Sequence, residues 1–99
     1  MQMRKQKEVS IENLNFERKS KFFKSLAEPT RLKIIHHLLN EKDCICNIAE
    51  VFGKDPSVIF RHILILRDAG IVLTKKKDKF LFCEIKNKKQ IQKFLNFVK

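Results

Sequence analysis

Residues 43–74 read DCICNIAEVFGKDPSVIFRHILILRDAGIVLT, and the fold is decided within them. Asp43 suits a helix N-cap, which predicts a short helix from Cys44 to about Val51 with Ile45, Ile48 and Ala49 facing inward. Phe52-Gly53-Lys54 reads as a tight turn, because Gly53 is free to take a positive φ. Asp55-Pro56 starts a longer helix, with Asp55 as its N-cap and Pro at the first helical position, where there is no N–H to leave unsatisfied. That helix runs from Pro56 to Ala69, with Gly70 at the position where helices stop. Ile59, Ile63 and Leu66 are spaced for a buried stripe. Two helices joined by a short Gly turn make a helix-turn-helix over residues 43–69.

On the C-terminal side the period changes to two. Ile71–Thr74 and Phe80–Ile85 read as strands around KKKDK, with Asp78 the residue best able to relax the turn; together they form a wing over residues 71–85. Asn87 then caps a closing helix over residues 87–99, with Ile91, Phe94, Leu95 and Val98 on one stripe. So short an amphipathic helix needs a partner, which a second copy of the chain would supply. On the N-terminal side, Ser10 caps a helix to about Ala27 carrying Ile11, Leu14, Phe22, Phe23 and Leu26, with a break near Ser20 left open. Glu28-Pro29 restarts a helix to Asn40, with Leu32, Ile35, Leu38 and Leu39 at core spacing. Residues 1–9 read as a flexible basic arm. The expected architecture is a single domain over residues 1–99, mostly α with a β-hairpin wing: four helices, two strands and a fifth helix in winged helix-turn-helix order.

Composition agrees. Ninety-nine residues hold one domain, and only two Gly and two Pro argue against an all-β fold. Three Cys, two of them separated by one residue, draw no disulfide framework. The apolar runs are too short to span a bilayer and the charged start is no secretory signal, so the expectation is a cytoplasmic protein without a membrane partner. The formal net charge is +11, and residues 75–99 carry nine basic and two acidic side chains while residues 22–74 are nearly neutral. One cationic surface therefore faces a polyanion, or else the lysines are only a solvated face. No Gly-rich phosphate loop and no nucleophile paired with a base appears, so an enzyme is not expected, and no cofactor is required.

The pieces LAEPTRLKII, CICNIAE and RHILILRDAGIV, followed by the Lys-rich hairpin, resemble the ArsR/SmtB family of small homodimeric winged-helix repressors. The resemblance covers residues 10 to 99. It implies double-stranded DNA as partner, read in the major groove by the helix over residues 56–69. Ser57 and Arg61 match family positions that approach DNA, whereas Val58 and Phe60 stand where Thr and Ser are usual. Lys54 and the wing residues Lys75, Lys76, Lys77 and Lys79 would hold phosphates. His62 is expected to be half-buried and structural. Phe60 and Leu64 form an apolar pair, facing thymine methyls, another protein or a displaced first helix, or simply covered by the fold. Leu14, Phe22, Ile91, Phe94, Leu95 and Val98 would form the dimer interface. Cys44-Ile45-Cys46 matches the family's Cys-x-Cys, a pair suited to a soft metal or metalloid effector. The remaining ligands are missing: Ala49 stands where a third Cys can occur, Asn47 where Asp is usual, residues 1–43 contain no Cys, and residues 87–99 contain neither Asp nor His. Cys83 is not expected to reach the pair, and His36-His37 point apart as a poor chelate. Two rival functions remain: an architectural DNA binder of low specificity, and a winged-helix module for protein contacts.

Overall fold

The computed structural model describes residues 15–98; the expected arm over residues 1–9, and Ser10, Ile11 and Leu14 of the first helix, lie outside them. Helix α1 spans Phe16–Leu26, and the Asn15 side chain accepts the Arg18 N–H at its start. It runs through Ser20 without the break the sequence left open. Helix α2 spans Pro29–Asn40, and the Glu28 carboxylate caps it by accepting the Arg31 N–H at 2.8 Å. Strand β1, Asp43–Cys44, precedes helix α3, Ile45–Phe52. Helix α4, Pro56–Asp68, is followed by strands β2, Val72–Lys77, and β3, Phe80–Ile85, and by helix α5, Lys88–Phe97.

The turn between α3 and α4 closes as the sequence requires. Gly53 has φ 61°, and the Lys54 N–H returns to the Ala49 carbonyl at 2.9 Å, satisfying an orphan carbonyl at the helix end. In the hairpin Asp78 has φ 56°, the left-handed conformation that Asp tolerates better than most side chains.

Three local expectations are corrected. Asp43 is not the cap of α3: it lies in β1, and Cys44 holds the N-cap position without a capping bond from its own side chain. A two-residue strand has no period to read; it exists because β3 pairs with it, Asp43 opposite Cys83 and Cys44 opposite Phe82. The sheet is therefore three-stranded in the order β1-β3-β2, all antiparallel. Strand β2 also runs past Thr74 to Lys77, which reduces the turn to Asp78 and Lys79. Asp55 precedes Pro56 as expected, but only its carbonyl serves the helix, accepting from Val58 and Ile59; its carboxylate makes no capping bond.

The core lies between the helices and one face of the sheet. It unites Ile34, Ile35 and Leu38 of α2 with Ile45 and Ile48 of α3, and Ile59, Ile63 and Leu66 of α4 with Val72, Cys83 and Ile85 of the hairpin. Leu32, expected in the core, is 37% exposed, and Ile34 replaces it. Helix α2 packs on β3 as well as on α4, which turns its buried stripe toward Ile34. Ile63 is 0% exposed, so Ile63→Ala should cost about 2–5 kcal/mol through lost burial plus the cavity left behind. Leu32→Ala should cost less than about 1 kcal/mol, because a partly exposed side chain loses little burial. Urea unfolding of the two variants tests the assignment; equal losses would contradict it.

Candidate nucleic-acid interface

Helix α4 hides one face and presents another. With Ile59, Ile63 and Leu66 buried, Ser57, Phe60 and Arg61 are exposed, and Val58, His62 and Leu64 are half-buried. No acidic residue lies in its first turn, and Lys54 is exposed in the turn before it. Phe60 is 41% exposed, so the reading in which the fold simply covers it does not hold. Ile65, one turn beyond Arg61, is 38% exposed and extends this apolar margin, which the sequence reading passed over.

The orientation of α4 is set by a clamp that sequence reasoning missed. The Arg31 Nε donates to the Ser25 carbonyl at 2.7 Å and its Nη2 to the Lys24 carbonyl at 3.4 Å, closing the last turn of α1. Its Nη1 donates to His62 Nδ1 at 3.3 Å, which ties α1 and α2 to α4. His62 is thereby an acceptor, and it is half-buried as expected. Burial holds its pKa below the ordinary 6.5; Glu28 opposes this, while Arg31, Lys54 and Arg61 reinforce it. His62 is therefore a neutral fastener rather than a phosphate-binding cation.

The hairpin lysines do not form one cluster. Successive strand residues point to opposite faces. Lys75 and Lys77 pair with Phe82 and Phe80 on the outer face, while Lys76, paired with Leu81, lies on the other. Lys79 sits in the turn with its ammonium 5.6 Å from the centre of the Phe80 ring. All four are exposed.

The thiols are placed differently from expectation. Strand β1 does bring Cys83 alongside the start of α3, against the expectation that the wing stays away. The pleat nevertheless separates the side chains, because Cys83 shares a face with Asp43 and Cys44 shares one with Phe82. Burial, with Cys44 and Asp43 nearby, pushes the Cys83 thiol up to about 12. Cys44 is half-buried and Cys46 exposed. Among the described residues no three His, Cys, Asp or Glu side chains gather to hold a metal. Two thiols do not make a closed tetrahedral site, so the residues present do not fit a resident soft metal.

Asp43 is engaged elsewhere. Its carboxylate accepts from His37 Nε2 at 2.8 Å, from the Asn47 amide and from the Cys44 N–H. Burial raises its pKa, but these hydrogen bonds outweigh it and the net shift is downward. His37, named in the sequence only as half of a poor chelate, is a structural partner, while His36 is exposed. An Asp that also fits a cap gives no signal for such a bond.

A separate apolar surface is built by α1 and α5. Phe22, Phe23 and Phe94 meet edge-to-face or tilted, with centroids 5.4–5.8 Å apart, and Phe23 remains 54% and Phe94 39% exposed. Phe97 and Val98 beyond them are largely exposed. Ile91, expected at a dimer interface, is 1% exposed and belongs to the core of the protomer instead. Leu95 is half-buried against that core. Leu14 lies outside the described residues. Among the described residues no helix is long and apolar enough to cross a membrane.

A buried-stripe helix behind a Gly turn, flanked by a basic hairpin, defines a winged helix-turn-helix protein. Residues 28–74 match the family described as bacterial regulatory protein, arsR family. The chain is 35% identical over 68 residues to an uncharacterized HTH-type transcriptional regulator of Methanocaldococcus jannaschii, covering 68% of this chain and 76% of that one. It belongs to the ArsR family. It is also 36% identical over 69 residues to a cadmium resistance transcriptional regulatory protein of Listeria innocua, covering 69% of this chain but only 58% of that relative's length. In fold it is similar to the homodimeric winged helix-turn-helix DNA-binding domain of a possible ArsR-family regulator of Mycobacterium bovis. There the TM-score is 0.79 at 17% identity, over 88% of this chain and 82% of that one.

The clamp has a pH signature. Because folding depresses the His62 pKa, the unfolded chain binds protons more readily below the ordinary 6.5. Stability therefore falls as pH drops from about 6.5 through the lower folded value, and is independent of this group above that window. His62→Gln should flatten the decline below about pH 6.5 in thermal melts. An unchanged slope would remove His62 as its source.

Proposed function

We propose that the chain is a homodimeric, sequence-specific DNA-binding transcriptional regulator of the repressor type. The observation that carries this reading is the exposed Ser57–Arg61 edge of α4, beside exposed Lys54 and a hairpin bearing Lys75, Lys76, Lys77 and Lys79, in a chain of the ArsR family. The first turns of α4 enter the major groove, where Arg61 can pair with guanine or a phosphate and Ser57 with a base or the backbone. Val58 lies at the edge of this surface, and Phe60 is free to meet a thymine methyl. The wing lysines give affinity and salt dependence without sequence information. Phe22, Phe23, Phe94, Leu95 and Val98 supply the dimer face, which sets two copies of α4 about one DNA turn (~34 Å) apart over a palindromic site.

Some relatives are metal-resistance regulators by description. Among the described residues of this chain a soft-metal effector would find the thiols of Cys44 and Cys46 without a third ligand gathered beside them, so metal release from DNA is not part of the reading.

Fluorescence anisotropy against the chain's own upstream DNA and a shuffled control, at several salt concentrations, tests the proposal. Preference for the native fragment by at least ~10³ is expected of a specific regulator, whereas an architectural binder would show a ratio near one. Arg61→Ala should weaken specific binding by about 1–3 kcal/mol, and removing one wing Lys should lower the salt slope by about one unit. The exposure of Phe60 favours one second reading, a protein-contact module, which would bind both fragments weakly at physiological salt. For the dimer, Phe94→Asp places a charge in the aromatic face and should give monomers by sedimentation. A dimer persisting at micromolar concentration would move the interface elsewhere.

A further inference from the structure

The core uses one face of the hairpin, and the other face is not the polar surface an exposed antiparallel sheet normally shows. Its register sets Leu73 beside Glu84, Lys75 beside Phe82 and Lys77 beside Phe80. Leu73 is 46% and Phe80 37% exposed. A groove of about 370 Å³ lies on this face, lined by Lys42, Leu73, Lys75, Lys77, Phe82 and Glu84. Among the described residues the ion pair is His37–Asp43, so the four lysines that line the groove, Lys42, Lys75, Lys76 and Lys77, hold no carboxylate partner, Glu84 included.

We propose that this groove binds a small amphipathic anion, a carboxylate carried on an unbranched apolar body, and that its occupation weakens DNA binding. Leu73 and Phe82 supply the apolar floor, and their uncovered area is what an alkyl body would remove from water. Lys75 and Lys77, two residues apart on one strand and so about 6.7 Å apart along it, supply paired cations for the head group. Glu84 sits beside Leu73 and repels a carboxylate from that end, which fixes the head toward Lys75 and Lys77. The size favours a small molecule over a macromolecule: ligand pockets start near ~300 Å³, whereas a stable protein interface buries about 800 Å² on each partner. Lys75 and Lys77 are also phosphate-binding candidates, so a bound carboxylate cancels charge that DNA would otherwise use. This last consequence rests on the DNA-binding reading; the binding of the anion does not.

The test titrates the full chain, without DNA, with decanoate and with decanol, followed by calorimetry and by amide chemical shifts. Saturable binding of one decanoate per chain is expected, about tenfold or more tighter than decanol, with shifts centred on Leu73, Lys75 and Phe82. Lys75→Glu and Leu73→Ser should each weaken decanoate at least about tenfold, while Lys93→Glu, on α5, should not. Leu73 and Lys75 lie outside the core, and unchanged urea midpoints confirm that the variants fold. Equal affinity for decanol, shifts centred on Phe22, Phe23 and Phe94, indifference to Leu73→Ser, or no saturation would each overturn the site. Saturating decanoate should then reduce affinity for the upstream DNA and lower its salt slope by about one unit. An unchanged DNA affinity would overturn the regulatory half of the proposal. A chain that binds decanoate at the groove but no DNA in either state would instead overturn the DNA-binding reading.

Discussion

Strand β1 is only two residues long, yet it joins the two parts of the molecule that would have to reach one ligand together. Through it the backbone of Asp43 and Cys44 is laddered to Phe82 and Cys83 of the hairpin, immediately before α3 begins. The Asp43 carboxylate locks the same point from the other side by accepting from His37 on α2, from Asn47 on α3 and from the Cys44 N–H. A carboxylate removed from water is stable only when its oxygens are satisfied, and here three donors meet it. Because α3 leads through the Gly53 turn into α4, fixing its start relative to β3 also fixes how far the wing stands from the exposed edge of α4.

Arg31 makes the complementary restraint at the far side. Its guanidinium closes the end of α1, which carries Phe22 and Phe23, and reaches His62 in the middle of α4. The apolar surface that would pair two copies and the helix that would read DNA are thus linked through one guanidinium. The neutral state of His62 belongs to the same arrangement: a protonated imidazole would face Arg31 cation to cation and could no longer accept.

Helix limits and the inner stripe of α4 were legible because they follow from local chemistry. Pro29 and Pro56 mark helix starts, Gly53 and Asp78 take the positive φ their turns need, and Ile59, Ile63 and Leu66 repeat at the helical period. Features made by residues distant in sequence were not. The β1–β3 ladder pairs positions thirty-eight and forty apart, and Arg31 meets His62 across thirty-one residues. Asp43 looked like a cap because its carboxylate can serve either a helix end or a tertiary network, and only the fold decides between them. Ile91 shows the same ambiguity in apolar form, since a helical stripe says that a side chain is buried but not whether its own core or a partner buries it.

The hairpin carries the consequence furthest. Had the turn comprised all of KKKDK, as the alternation alone suggested, its lysines would have formed a flexible cationic tip open to any phosphate. Extension of β2 to Lys77 instead commits Lys75 and Lys77 to one face and Lys76 to the other, with Lys79 at the turn. A duplex backbone meeting the tip from one side would engage these cations unequally, and the pair on the outer face lies beside Leu73 and Phe82 rather than beside α4. Apolar side chains at those positions add nothing to a contact with phosphates, which are fully hydrated and polar. Their presence beside the lysines is therefore the feature a pure DNA wing leaves unexplained, and an anion with an apolar body is the chemistry that uses both.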